Sequence, residues 1–230
     1  MKTIGLIGGM SWESTIPYYS IINTFVKEHL GGLHSAKIVL FSVEFDEIEK
    51  CQSSGQWEKS GAILADAAKK LEMAGADMIL ICTNTMHKVF NQVQSAVKIP
   101  LIHIADATAD VLKKDNIGTV GLLGTRYTMT QDFYKNRLIH HGLNVIIPEP
   151  DDIAHVNDII FKELCLGQIK AASRNEFSRI IAKLKSRGAE AVILGCTEIG
   201  LLVTSESSEL KIYDTTVIHA TRAAELAFEV

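Results

Sequence analysis

Ile79-Leu80-Ile81-Cys82-Thr83-Asn84-Thr85 and Val192-Ile193-Leu194-Gly195-Cys196-Thr197-Glu198 are one pattern written twice, 113 residues apart. Each is an apolar run of strand length followed by a cluster of small polar residues. A short continuous apolar run of this kind reads as a buried parallel strand whose carboxyl end opens into a loop. The relation extends upstream, because Lys70-Leu71 and Gly75-Ala76-Asp77 match Lys183-Leu184 and Gly188-Ala189-Glu190 at the same offset. Gly5-Leu6-Ile7-Gly8 matches Gly121-Leu122-Leu123-Gly124 at an offset of 116, which also sets Tyr18 on Tyr134. The small change in offset is a difference in loop length. Two copies of this size make two similar lobes, not a solenoid.

Working outward, the apolar periodicity alternates strands with helices. Strands are expected at 3–7, 37–43, 78–81, 101–104, 119–123, 144–147, 191–194 and 211–213. Helices are expected at 15–28, 60–73, 85–93, 107–114, 129–140, 156–166, 174–187 and 217–228. In the helix expected at 60–73, Ile63, Ala67, Leu71 and the following Ala74 share one face at spacings of three and four. Alternation of this kind predicts the α/β class. The expected architecture is two pseudo-symmetric lobes, each a mostly parallel sheet flanked by helices, with the active site in the cleft between them. The lobes are expected at 1–100, joined by a C-terminal helix at 215–230, and at 101–214.

Composition excludes several classes. Apolar residues make up 47% and charged residues 22% of the 230, the balance of a globular protein. The net charge is −4, and no lysine or arginine block supplies a footprint for nucleic acid or a membrane surface. No apolar run approaches the ~20 residues that span a bilayer, and the glycine-broken start does not read as a signal peptide. A cytoplasmic protein is the expectation. The four cysteines, at 51, 82, 165 and 196, show no metal spacing and are expected as thiols.

Ligands of parallel α/β sheets bind beyond the carboxyl ends of the strands. The repeat sets Thr83 against Cys196 and Asn84 against Thr197, so Thr83 and Cys196 are expected to face one ligand from opposite lobes. Backbone N–H groups at helix starts suit a carboxylate there. The same setting is expected to lower the cysteine pKa from about 8.5. Cys82 is expected to pack behind the cleft, with Cys51 and Cys165 as ordinary filler.

These residues resemble the aspartate/glutamate racemase family. Its two signatures are a Cys-Asn-Thr and a Gly-Cys-Thr segment. Here they stand as Thr83-Asn84-Thr85, preceded by Cys82, and as Gly195-Cys196-Thr197-Glu198. Gly8-Gly9-Met10-Ser11-Trp12 and Gly124-Thr125-Arg126-Tyr127-Thr128-Met129 look like the family's substrate loops, and His87 and Glu198 look like its aspartate branch. The resemblance covers essentially the whole chain. It implies a racemase independent of pyridoxal phosphate, with no metal and no organic cofactor, acting on L-aspartate or L-glutamate, as a homodimer. It further implies that two thiols flank the substrate Cα, one taking a proton and one returning it on the opposite face. In family members with both thiols, the second-half cysteine serves the L-substrate. Met10, Asn84, Thr85, Thr125, Thr128 and Thr197 are the implied substrate-binding residues.

The chain departs from the family in two places. Thr83 stands where the first cysteine belongs, and a hydroxyl can donate a proton but not readily abstract one, so the site is expected to be one-sided. No arginine stands in Glu49-Lys50-Cys51-Gln52-Ser53-Ser54, where some aspartate racemases hold the distal carboxylate. Gln52 is the candidate replacement, with Lys162 as the second. Two other readings compete. One is a single-cysteine relative, such as a malonate-type decarboxylase or a maleate isomerase. The other is a non-catalytic amino-acid-binding protein.

Overall fold

A computed structural model describes residues 1–229. The chain divides into two compact units, Met1–Ile104 together with the chain from His219 onward, and Ala105–Ile218.

In the first unit, β1 (Ile4–Gly8), β2 (Ile38–Ser42), β3 (Met78–Ile81) and β4 (Leu101–Ile102) form a parallel sheet in the order β2-β1-β3-β4. The helices are α1 (Trp12–Leu30), α2 (Phe45–Ser53), α3 (Trp57–Met73) and α4 (Phe90–Gln94). In the second unit, β5 (Thr119–Gly124), β6 (Asn144–Ile146), β7 (Ala191–Gly195) and β8 (Lys211–Asp214) run in the order β6-β5-β7-β8, also parallel. Its helices are α5 (Ile104–Lys114), α6 (Arg126–Thr130), α7 (Asp132–His140), α8 (Pro150–Lys162) and α9 (Ala171–Ser186). The closing helix α10 spans Thr215–Phe228. The sheets are therefore the same sheet built twice. Leu6 pairs with Leu80 and Leu122 with Ile193, so the two sequence offsets preserve the strand register. Among the described residues, no helix is long and apolar enough to cross a membrane.

The central strands of the first unit, β1 and β3, are buried on both faces, and their side chains sort with a period of two. Ile4, Leu6, Met78 and Leu80 pack with Tyr18 and Ile22 of α1 and with Ala220, Ala223 and Ala224 of α10. Ile7, Ile79 and Ile81 pack on the opposite side with Leu64, Ala67 and Leu71 of α3. In the second unit Val192 and Leu194 pack with Phe177, Ile180 and Leu184 of α9.

Each unit takes the helix that follows the other unit's last strand. Helix α5 follows β4 but belongs from Ala105 to the second unit, and α10 follows β8 but belongs from His219 to the first. His219 secures this arrangement. Its Nε2–H donates to the Ile102 carbonyl of β4 at 2.9 Å, and its Nδ1 accepts from the Tyr18 hydroxyl at 2.9 Å. β4 pairs with β3, so the first unit runs to Ile104, past the residue-100 boundary read from sequence.

Several boundaries differ from those read from sequence, each for a local reason. Helix α2 was not anticipated. It is short and polar, and its cap is Glu44, whose carboxylate accepts from the Asp46 and Glu47 amides, where Ser, Thr, Asp or Asn is the usual signal. Ile104 reads as strand by type but starts α5, because the His87 ring accepts its N–H at 3.2 Å. The expected helix 129–140 is two helices, since Gln131 is extended between them. The helix expected at 156–166 begins at Pro150, a proline in the first turn.

Burial, and then the neighbouring His87, push the His219 pKa from 6.5 down to about 3. The native state therefore holds this ring neutral while the unfolded chain protonates it. Its contribution to stability is present above about pH 6.5 and is lost as the pH falls toward 3. Urea midpoints should fall across that window, and His219→Gln should flatten the fall. An unchanged slope in the variant would contradict this assignment.

Candidate active site

The strand parity that builds the cores also decides which residues reach the strand ends. Cys82 continues the Met78–Leu80 row and lies fully buried among Tyr18, Ile22 and the alanines of α10. Its amide extends the ladder, donating to the Ile7 carbonyl at 2.9 Å. Burial pushes the Cys82 thiol pKa far up. Thr83 follows the other row, Ile79 and Ile81, and retains 9% exposure. In the second unit Cys196 follows the equivalent row, Val192 and Leu194. Thr83 and Cys196 thus occupy the same place in two copies of one sheet.

Glycine is required where these loops begin. Gly124 and Gly195 are register partners at the ends of β5 and β7. A Cβ on Gly124 would lie 2.6 Å from the Gly195 carbonyl oxygen, and one on Gly195 would lie 2.8 Å from that of Leu123. This close approach sets Thr125 and Cys196 side by side as the next residues of adjacent strands. Gly9 holds a φ of +88° against the Val43 backbone, which keeps the first loop tight after β1.

Small hydroxyl residues shape both loops. Thr125 caps α6, its Oγ1 accepting from the Thr128 amide at 3.3 Å, and the two hydroxyls lie 3.2 Å apart. Thr128 is fully buried, and Asn84, Thr85 and Thr197 are nearly so. His87 braces the first loop. Its Nε2 accepts from the Ile104 amide, so its Nδ1 carries the proton and donates to the Thr83 carbonyl at 2.8 Å. Gln52 is buried at the end of α2, and its amide donates to the Met86 sulfur at 3.1 Å. A thioether is a weak acceptor.

Two expected site residues are placed differently. The Met10 side chain packs in the core with Ile7 and Ile48, so what the Gly8–Ser11 loop offers is backbone. Lys162 is 72% exposed on α8, with its ammonium 2.7 Å from Asp158.

The thiol of Cys196 is the main correction. Its pKa is raised, not lowered, first by burial and then by the charge of Glu198. The expected helix start is only one turn of 3₁₀ helix, Ile199–Leu201, too short to develop a useful dipole. The Cys196 thiol instead donates to Glu198 Oε2 at 3.0 Å, and the Thr197 hydroxyl donates to the same oxygen at 2.8 Å. Cys165 is not filler, since its thiol lies 3.8 Å from Glu198 Oε1. The sequence marked Glu198 by its place in the second signature and opposite Thr85 in the repeat, but nothing in it foretold a carboxylate 3% exposed against a thiol.

Among the described residues one group, Asp152, His155 and Glu176, brings three potential metal ligands together. Asp152 is already paired with Arg179 and Lys183, and Glu176 with Arg179, so the charge a cation would neutralise is taken.

Comparison with known proteins fits this geometry. The model of the Asp/Glu/hydantoin racemase family matches residues 7–224, and the chain belongs to that family. It is an enzyme, an isomerase of the amino-acid racemase class. It is 53% identical to a Yersinia pestis protein classed as an Asp/Glu racemase, with a TM-score of 0.92 and all of both chains covered. An aspartate racemase homologue from Pyrococcus horikoshii is 38% identical, with a TM-score of 0.86 and full coverage of both chains. A broad-specificity amino-acid racemase of Bacillus subtilis is 24% identical over 92% of each chain.

Thiol labelling checks the strand parity. In native protein Cys82 should resist iodoacetamide and react only in denaturant, while the half-buried Cys165 reacts first. Native labelling of Cys82 as fast as Cys165 would show that the residues after β3 face the other way.

Proposed function

We propose that this enzyme racemises acidic amino acids, aspartate or glutamate, without a cofactor. The loops after β3 and β7 act together on one substrate. The observation that carries this reading is the equivalence of Thr83 and Cys196, at matching positions of two matching sheets, in a chain of the racemase family.

Cys196 as thiolate takes the Cα proton of the L-enantiomer, and the Thr83 hydroxyl donates a proton to the opposite face. Asn84, Thr85, Thr125, Thr128 and Thr197, with the Gly8–Ser11 backbone, hold the α-carboxylate and ammonium groups. Gln52 holds the distal carboxylate, as the buried amide at the end of α2. Lys162 is the second candidate for that role. Its exposed i,i+4 pair with Asp158 contributes only about 0.3–0.5 kcal/mol, so an anionic substrate competes with Asp158 for it at little cost.

A single thiol has a kinetic signature. The equilibrium constant of a racemisation is one, so kcat/KM must be equal for the two enantiomers however unequal the two faces. The asymmetry shows instead in isotope exchange. A thiol can return a solvent deuteron to the face from which it removed a proton, whereas a threonine hydroxyl cannot readily begin that cycle. One thiol also fits a malonate-type decarboxylase or a maleate isomerase, and the same measurement separates these readings.

Proton NMR in D₂O across L- and D-amino acids is the test. L-aspartate or L-glutamate should lose its Cα proton with retention faster than it inverts, and the D-enantiomer should exchange slowly. A protein that releases CO₂ from malonates, isomerises maleate, or binds amino acids without exchange would refute the racemase reading. Cys196→Ala should cut exchange by roughly 10²–10⁴-fold, the usual contribution of a positioned base. Thr83→Cys should raise D-exchange by about tenfold or more, since a thiol is several pK units more acidic than a hydroxyl. Gln52→Ala and Lys162→Ala should raise KM for aspartate more than they lower kcat. An unchanged KM in either variant removes that residue from the distal site.

A further inference from the structure

We propose that Cys165 and Cys196 are an oxidation pair: a hydroperoxide joins them in a disulfide that takes away the base, and a thiol reductant restores it. The loss of activity rests on Cys196 being the base for the L-enantiomer. The disulfide itself does not.

Two sulfurs from distant parts of the chain meet one carboxylate, and that juxtaposition carries the proposal. Cys196 follows β7 and donates to Glu198 Oε2 at 3.0 Å. Cys165 lies in the single 3₁₀ turn Leu164–Leu166 after α8, and its thiol is 3.8 Å from Glu198 Oε1. Both cysteines belong to the second unit and pack in one core with Leu164 and Ile199. Burial, then the Glu198 charge, and then the Cys165 sulfur raise the Cys196 pKa, so the two sulfurs feel each other's charge. Cys51 and Cys82 belong to the first unit and have no part in this cluster.

The two thiols differ in access. Cys196 is 6% exposed, whereas Cys165 is half-buried. Thiol oxidation follows exposure as well as thiolate character, so Cys165 is the sulfur that a peroxide reaches, and Cys196 is the resolving partner. A disulfide brings its sulfurs to about 2.05 Å. Residues Leu166 to Lys170 are exposed throughout, so the turn has room to close on Cys196 once the Glu198 carboxylate swings aside.

The reaction balances with the hydroperoxide as oxidant. The Cys165 sulfur attacks one peroxide oxygen, an S–O bond forms, the O–O bond breaks, and the departing oxygen leaves as an alcohol, or as water from hydrogen peroxide. Cys165 is then a sulfenic acid. The Cys196 sulfur attacks the Cys165 sulfur, an S–S bond forms, and the S–O bond breaks. The hydroxide leaves as water with the Cys196 proton. The two sulfurs together lose two electrons, and the peroxide gains them. A dithiol reverses the change by thiol–disulfide exchange.

The probe is hydrogen peroxide, applied to the full chain, followed by iodoacetamide in denaturant and peptide mass spectrometry without reduction. The expected product is a cross-link between the peptides holding Cys165 and Cys196, with Cys51 and Cys82 still alkylated. Cα exchange of L-aspartate should fall in step with the cross-link, toward the roughly 10²–10⁴-fold loss expected when a positioned base is removed. Dithiothreitol should return it to within about twofold of the untreated protein. In Cys165→Ser the cross-link is absent, untreated exchange is kept, and inactivation by the same peroxide dose should be slower by about tenfold or more, because only the buried sulfur remains to be attacked. The cross-link in the unaltered protein decides the matter if the serine variant does not fold. A disulfide to Cys51, Cys82 or a second copy of the chain, oxidation of Cys165 that stops at the sulfinic acid, or equally fast inactivation of Cys165→Ser would overturn the pair. Absence of Cα exchange before any peroxide is added would overturn the racemase reading and the loss of activity, while the cross-link would still decide whether the two thiols pair.

Discussion

Parallel strands buried on both faces leave each side chain only two directions, and those directions alternate. The rest of this molecule depends on that constraint. On β3 it sends Met78, Leu80 and Cys82 to the side of α1 and α10, and Ile79 and Ile81 to the side of α3. On β7 it sends Val192, Leu194 and Cys196 to the side of α9. A one-residue slip in either strand would exchange a core position for a loop position. The parity therefore separates two positions that adjoin in the repeat: Cys82 packs against α1 and α10, and Cys196 stands in the row equivalent to that of Thr83.

The loops that follow are tightened by contacts that no larger residue permits. The mutual approach of Gly124 and Gly195 lets β5 and β7 end in step, so that Thr125 and Cys196 emerge together. In the first unit the corresponding brace is a side chain, because His87 ties the Thr83 carbonyl to the first amide of α5. His219 does related work where the chain returns, joining α10 to β4 and α1. Burial keeps the His219 ring neutral, which costs stability in acid, where the unfolded chain binds the proton that the native fold refuses.

Electrostatics in the second unit run against the simplest idea of an activated cysteine. A thiol beside a carboxylate and out of water is a poor acid, and its anion is correspondingly a strong base. The neighbour that holds this thiol is Glu198, one hydrogen bond away.

The α/β class, the two-fold repeat and the equivalent strand-end positions of Thr83 and Cys196 were all legible in the chain by itself. They follow from local apolar periodicity and from identities such as Gly8 with Gly124, which persist because equivalent sheets pose equivalent packing problems. Strand ends were read to within a residue or two for the same reason, with the largest difference at β4, which ends at Ile102. What the sequence could not disclose depends on residues far apart in the chain. Ile104 starts a helix because a ring seventeen positions earlier accepts its N–H. Met10 is core because Ile7 and Ile48 surround it. Cys165 and Cys196 share one carboxylate although thirty-one residues separate them. The direction of the Cys196 shift was misread because a strand-end cysteine suggests a helix dipole. Whether a helix long enough to have one follows, and which charge lies closest, is decided only by tertiary packing.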